Sequence, residues 1–244
     1  MEEIRIQKLL SRNGSFSRRR VEELISQKRI KVNGKVIDTF GLKCSPKDII
    51  EVDNKVIEID LNKERIYLLM NKPKNYICSL YDPNKRKKII DLVDPRLGRL
   101  VPVGRLDYDT SGLIMLTNDG EFCNYITHPS TSPEKEYIAY CENPLYGDEE
   151  EKISKGVFIN ELNYLAKDIK GKIISSTKTN STFSITLHEG KKHEVKLILE
   201  EIGHKVITLE RIRIGSLLLK DLKVGQYRKL TKGEIESFGY KINI

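Results

Sequence analysis

Two carboxylates stand close together in Gly104-Arg105-Leu106-Asp107-Tyr108-Asp109-Thr110-Ser111-Gly112-Leu113, just ahead of the apolar run Leu113-Ile114-Met115-Leu116. A polar turn feeding an apolar run marks a loop that enters a strand. In extended backbone, residues two apart share a face, so Asp107 and Asp109 could work as a glycosidase-like carboxylate pair. Asp107 alone could serve as a nucleophile, or simply cap its turn. A second cluster, His188-Glu189-Gly190-Lys191-Lys192-His193, is one residue too long for the metalloprotease helix H-E-x-x-H, and Gly190 favours a turn. No metal site is expected.

The elements that must carry these residues fall into two regions. In residues 1–60, Ile4-Arg5-Ile6-Gln7-Lys8-Leu9-Leu10 has apolar positions at helical spacing and ends near the turn formers Asn13-Gly14. Ser17 is a good N-cap for a second helix whose stripe is Val21, Leu24 and Ile25. Arg18, Arg19 and Arg20 fill its first turn, where cations oppose the helix dipole. Strands around Ile30–Val32 and Lys35–Ile37 flank the hairpin signal Asn33-Gly34, and another lies at Ile49–Val52. Residues 60–64 read as a linker. Strands are then expected at Ile66–Met70, Leu113–Thr117, Glu136–Tyr140, Ser184–Leu187 and Val206–Ile212. Helices are expected near Lys88–Val93, Gly120–Ile126, Asp148–Ser154 and His193–Ile202. In the last, Val195, Ile198, Leu199 and Ile202 form a stripe from which Lys196 projects. The mixture implies an α+β fold: a small α/β domain over 1–60, then a mixed or antiparallel sheet with flanking helices over 61–244.

Composition narrows the class. The chain has 244 residues, 39% hydrophobic and 32% charged, with a net charge of +8. Residues 5–35 hold ten Lys/Arg against Glu22 and Glu23, so this one window carries the whole excess and the remainder balances at 33 of each sign. So local a surplus favours an anionic partner such as a nucleic-acid backbone. No apolar run approaches the roughly 18 residues of a membrane span. The acidic start Met1-Glu2-Glu3 lacks a signal core. Cys44, Cys78, Cys123 and Cys141 form no Cys-x-x-Cys pair, which suits free thiols in a reducing cytoplasm.

The first region resembles the S4 RNA-binding domain through Leu9-Leu10, Ser17-Arg18-Arg19, Glu22-Glu23-Leu24-Ile25, Arg29-Ile30-Lys31-Val32-Asn33-Gly34-Lys35 and Asp48-Ile49-Ile50-Glu51-Val52. The second resembles the pseudouridine synthases, which isomerise uridine within RNA. Its matching strings are Leu68-Leu69-Met70-Asn71-Lys72-Pro73-Lys74, Val101-Pro102-Val103-Gly104-Arg105-Leu106-Asp107, Leu116-Thr117-Asn118-Asp119-Gly120, His128-Pro129, Glu134-Lys135-Glu136-Tyr137 and His188–Lys196. The strings Arg211-Ile212-Arg213-Ile214-Gly215 and Gly225–Thr231 look closer to the branch that modifies small-subunit ribosomal RNA, with a large-subunit synthase as the alternative. A non-catalytic RNA-binding assembly factor is the rival reading from another class.

The resemblance implies that Asp107 is catalytic, that Tyr137 is a platform for the flipped base, and that Lys196 is the cation beside Asp107. Arg105 is implied to hold the nucleotide's backbone or fill its place in the helix. It leaves Asp109 a structural role in its loop. Glu194 and Leu197 stand where relatives carry Gln and a second basic residue. RNA contacts are expected from Arg18, Arg19, Arg20, Lys28, Arg29 and Lys31. The reaction breaks the C1′–N1 bond, turns the uracil and joins C5 to C1′, so no cofactor is expected. The expected partner is ribosomal RNA, most simply 16S, met by a monomer in the cytoplasm without a membrane.

Overall fold

The structure, a computed structural model, describes residues 3–60 and 63–241; Leu61 and Asn62, in the expected linker, lie outside the described residues. Two compact units emerge, Met1–Ile66 with Asn118–Gly120, and Tyr67–Thr117 with Glu121–Ile244. No helix among the described residues is long and apolar enough to cross a membrane.

The small unit runs β1 (Ile4–Arg5), α1 (Ile6–Arg12), α2 (Arg18–Ser26), β2 (Ile30–Val32), β3 (Lys35–Val36), β4 (Lys43–Cys44), β5 (Ile50–Val52) and β6 (Lys55–Val56). The first helix starts two residues later than its apolar spacing suggests, because Ile4 and Arg5 pair with Cys44 and Lys43 instead. Ser17 caps α2 by accepting the Arg20 amide at 3.1 Å. Val21, Leu24 and Ile25 are buried against Ile6, Leu9, Leu10, Ile30 and Ile50, so the helical stripe and the sheet's inner face share one core. The sheet order is β3-β2-β5-β6.

The large unit continues with β7 (Tyr67–Lys72), β8 (Val101–Val103), β9 (Ser111–Thr117), α3 (Gly120–Thr127), β10 (Lys135–Glu142), α4 (Glu149–Lys155), β11 (Val157–Ile159), β12 (Tyr164–Ala166), β13 (Lys170–Ser176), β14 (Asn180–Leu187), α5 (Glu194–Glu201), β15 (Val206–Ile214), β16 (Leu217–Leu218), β17 (Tyr227–Lys229) and α6 (Lys232–Glu236). The main sheet orders them β13-β14-β10-β15-β9-β7-β17, with β16 on β15 and β8 on β9. Among the described strands of this sheet β15 and β9 alone pair in parallel; the sheet is therefore mixed, in an α+β fold. All five expected strands of this region are present, most of them longer than their apolar cores. The helix expected near Lys88–Val93 is a single 3-10 turn, Ile89–Leu92. Asp94 precedes Pro95, and a residue before proline is held out of the helical region, which leaves no room for a longer helix.

One transverse row of this sheet matters for the site. Lys72 pairs with Gly112, Gly112 with Arg211, and Arg211 with Tyr137. Four strands thus bring residues separated by as much as 139 positions, Lys72 to Arg211, into one line. At the parallel junction the backbones approach so closely that a Cβ on Gly112, whose φ is +103°, would be driven into the Arg211 main chain. Glycine alone fits there without displacement.

Replacing Ser17 by alanine removes the α2 cap and should lower the stability of the small unit by about 1 kcal/mol. Chemical denaturation followed by helix signal measures it; an unchanged midpoint would show that the cap bond is not used.

Candidate active site

A cavity of about 710 Å³ opens on the large unit, and Arg105, Asp107, Lys135, Tyr137, His193 and Arg211 are among its lining residues. A concave pocket of this size, lined by both apolar and charged side chains, suits a nucleotide-sized ligand. Asp107 lies on the turn between β8 and β9, with its side chain about one-third exposed. The Thr110 amide closes that turn by donating to the Asp107 carbonyl at 3.2 Å.

Lys72 fixes the loop. The residue is fully buried at the end of β7. Its Nζ donates to the carbonyls of Thr110 at 2.7 Å, Asp107 at 3.0 Å, Pro73 at 3.1 Å and Tyr108 at 3.4 Å. Four carbonyl dipoles replace the water that an ammonium loses on burial. Burial pulls the ammonium down to about 8, against the opposing pull of Cys78, Asp109 and Asp107. Cys78 adds a further clamp, its Sγ standing 3.4 Å from both the carbonyl and the amide of Leu106.

Tyr137 and Arg211 form the floor. Tyr137 is buried on β10, and its hydroxyl accepts from Arg211 Nη1 at 3.4 Å. The Arg211 Nε donates to the Leu113 carbonyl at 2.7 Å, which ties β15 to the strand after the Asp107 turn. Arg211 Nη2 is buried with no hydrogen-bond partner among the described residues. Lys135, next to Tyr137, donates to Ser132 Oγ and the His188 carbonyl, both at 2.7 Å, and so ties down the 188–193 turn. Burial, with help from the Arg211 charge, brings Lys135 down to about 8 as well.

Lys196 reaches the second carboxylate of the loop, Asp109. Its Nζ pairs with Asp109 at 2.6 Å, and His193 Nε2 lies 3.8 Å from Asp107 Oδ1. The reason is local. His193 takes a left-handed φ of +58° at the start of α5, which turns its ring to Asp107, while Lys196, one turn further on, faces the outer carboxylate. Asp109 therefore meets the Lys196 side chain as well as a backbone amide of its own loop. Burial alone would raise its pKa, but the Lys196 ammonium holds it below the usual carboxylate range. Glu194 is buried and accepts the Lys191 amide at 2.9 Å, and burial pushes its carboxyl up. Arg105 is exposed at the cavity mouth. The structure thus gathers Asp107, Tyr137 and Arg105 in one cavity and leaves Lys196 off its lining. Lys72, His193 and Arg211 are the neighbours that sequence reading passed over.

On the small unit, Arg18, Arg19 and Lys28 are exposed. Arg20 pairs with Glu23 at 2.7 Å and Arg29 with Asp53 at 2.6 Å, while Lys31 donates to Asn54 at 2.9 Å. Exposed pairs of this kind contribute little to stability and are easily exchanged for phosphate.

Lys72→Met should loosen the Asp107 turn and lower kcat by about a hundredfold, the usual cost of a small misplacement at a reacting centre. A pH effect separates loop from fold. The folded value near 8 lies below that of free lysine, 10.5, so between them the folded chain binds fewer protons and this group makes stability rise with pH. An alkaline fall in kcat centred near 8 without loss of thermal stability is expected. A fall that tracks unfolding contradicts the assignment.

Comparison with known proteins places this geometry. The family model described as RNA pseudouridylate synthase matches residues 66–201, and the S4 domain model matches residues 4–50. An "Uncharacterized RNA pseudouridine synthase" of Aquifex aeolicus is 40% identical, covering 96% of this chain and 93% of its own. The "Ribosomal large subunit pseudouridine synthase B" of Bacillus subtilis is 37% identical, covering 95% and 94%. The "Ribosomal small subunit pseudouridine synthase A" of Escherichia coli is 32% identical, covering 96% and 99%. A solved structure titled "Crystal structure of pseudouridylate synthase" superposes with a TM-score of 0.70 at 30% identity, over 96% of this chain and 99% of that one. A cavity built around an Asp-bearing turn, on a chain that matches along nearly its whole length, leads to one conclusion: this protein belongs to the RNA pseudouridine synthase family and carries an S4 domain.

Proposed function

We propose that the protein isomerises specific uridines of ribosomal RNA to pseudouridine, with Asp107 as the reacting carboxylate. The observation that carries this is the convergence of Asp107 and Tyr137 on one cavity, with the Asp107 turn held by the buried Lys72. A uridine must leave its stack to enter such a cavity. Tyr137 then offers a ring surface to the base, a contact worth about 1–3 kcal/mol. On a nucleophilic route Asp107 attacks C1′ as N1 leaves, the uracil turns, and C5 then displaces the carboxylate from C1′. On a glycal route Asp107 takes the C2′ proton as N1 leaves and returns it as C5 bonds to C1′. The C5 proton is lost and N1 gains one, so the reaction is an isomerisation with no net redox change. Pre-positioning is what the protein supplies, through Lys72 and the Gly112–Arg211 junction. Lys196, held by Asp109, serves as a second cation within reach of the loop, and Arg105 meets the nucleotide's flank at the cavity mouth.

The S4 unit supplies the sequence-independent grip through Arg18, Arg19, Arg20, Lys28, Arg29 and Lys31. The domain boundary is set at residues 60/61, and the chain acts as a cytoplasmic monomer. Strings near the C-terminus favour 16S RNA, whereas the identities of 37% and 32% lean to the large-subunit relative; both RNAs belong in the test.

With transcribed 16S and 23S RNA as substrates, Asp107→Asn should make no pseudouridine while binding RNA within severalfold of wild type. An Asn variant that still turns over removes Asp107 from the mechanism. Changing Arg18, Arg19 and Arg20 together to alanine should weaken binding and flatten the slope of log K against log salt by about 2 to 3. An unchanged slope in filter binding would move the RNA contact elsewhere.

A further inference from the structure

We propose that the segment from Lys74 to Lys88, together with Tyr108, forms a second RNA-contacting surface that holds unpaired nucleotides flanking the uridine in the cavity; this rests on the function proposed above. The segment reads Lys-Asn-Tyr-Ile-Cys-Ser-Leu-Tyr-Asp-Pro-Asn-Lys-Arg-Lys-Lys. Five cations (Lys74, Lys85, Arg86, Lys87 and Lys88) face a single acid, Asp82. Arg86 is occupied by Asp82 through Nε at 3.0 Å and Nη2 at 2.8 Å, and Lys88 faces Asp91 at 3.3 Å. Lys74, Lys85 and Lys87 remain as exposed cations.

Among these cations stand exposed aromatic rings. Tyr81 is 78% exposed and Tyr108, on the Asp107 turn itself, is 44% exposed. Lys87 Nζ lies 5.8 Å from the centre of the Tyr76 ring. Cations interleaved with open rings match the two faces of a single strand, phosphate and base. An acidic protein would use the cations and leave the rings unexplained.

The segment is also built as a presenting surface. The Ile77 amide donates to the Lys87 carbonyl at 2.9 Å and the Ile89 amide to the Ile77 carbonyl at 3.1 Å, closing the loop at its base. The Arg86 amide donates to Asp82 Oδ2 at 2.8 Å, and Ser79 Oγ donates to the Tyr81 carbonyl at 2.6 Å. Lys85 is held at a φ of +54°, a left-handed conformation that long side chains seldom adopt. The Asn75 amide donates to the Tyr108 carbonyl at 2.7 Å, and Cys78 meets Leu106. Whatever binds this surface is therefore held beside Asp107.

The test measures affinity, salt slope and steady-state kinetics of the full-length protein on transcribed 16S and 23S RNA. Tyr81→Ala should weaken binding and raise KM about tenfold while kcat stays within about twofold, and Tyr81→Phe should behave as wild type because the ring is kept. Changing Lys85 and Lys87 together to alanine should flatten the salt slope by about 1.5. Wild-type affinity and slope in both the Tyr81→Ala and the double lysine variants overturn the proposal, as does a wild type that binds neither RNA. A wild type that binds RNA but forms no pseudouridine defeats the proposed function instead, and the surface is then judged on affinity alone.

Discussion

An ammonium with no access to water must direct its N–H groups at the protein, and Lys72 directs them at the one loop that carries Asp107. Its bonds to the carbonyls of Asp107, Tyr108 and Thr110 set the shape of that turn. The grip works only because β7 lies in register with β9, so that Lys72 comes opposite Gly112. Gly112 in turn allows the close parallel contact with Arg211, and Arg211 reaches Tyr137. One row of the sheet thus positions the carboxylate turn on one side and the aromatic floor on the other. A larger side chain at Gly112 would separate the two halves of the site.

A buried lysine beside the cavity and a half-buried one on it give it its electrostatic character. Lys72 and Lys135 are both lowered to about 8 by burial, which means that little water is left to offset their charge. Such a setting strengthens every interaction with an anion or a carbonyl oxygen that enters. Asp107 sits among these groups with His193 as its near neighbour, and the Asp109–Lys196 pair lies to the outside. That pair is open to solvent on the Asp109 side, so its exchange for another partner costs little.

Much of this was legible in the residues. Ser17, the Asn33-Gly34 turn and the stripe of Val21, Leu24 and Ile25 each announce their structure by local chemistry, and the structure agrees. Asp107 and Tyr137 stand out through strings whose order is shared with a family, and the structure brings both to one cavity. The failures have a common physical source, which is that tertiary neighbours are not encoded in spacing. Asp107 and Asp109 differ by two positions on a loop, and nothing in the string says which of them faces α5. Lys72 lies beyond the strand expected at Ile66–Met70, and nothing in the string announces its burial, which depends on carbonyls from another loop. Likewise, the balance of 33 charges of each sign outside residues 5–35 concealed the basic segment 74–88, since a sum over a whole domain averages a local patch away.

The central claim is that this carboxylate, held in this turn, converts uridine within ribosomal RNA. Mapping pseudouridines across 16S and 23S RNA from cells lacking the protein, with either the wild-type or the Asp107→Asn gene restored, tests it most directly. The account predicts that a small, fixed set of sites disappears on deletion, returns with wild type and stays absent with the Asn variant. An unaltered map on deletion, or sites restored by Asp107→Asn, would contradict it.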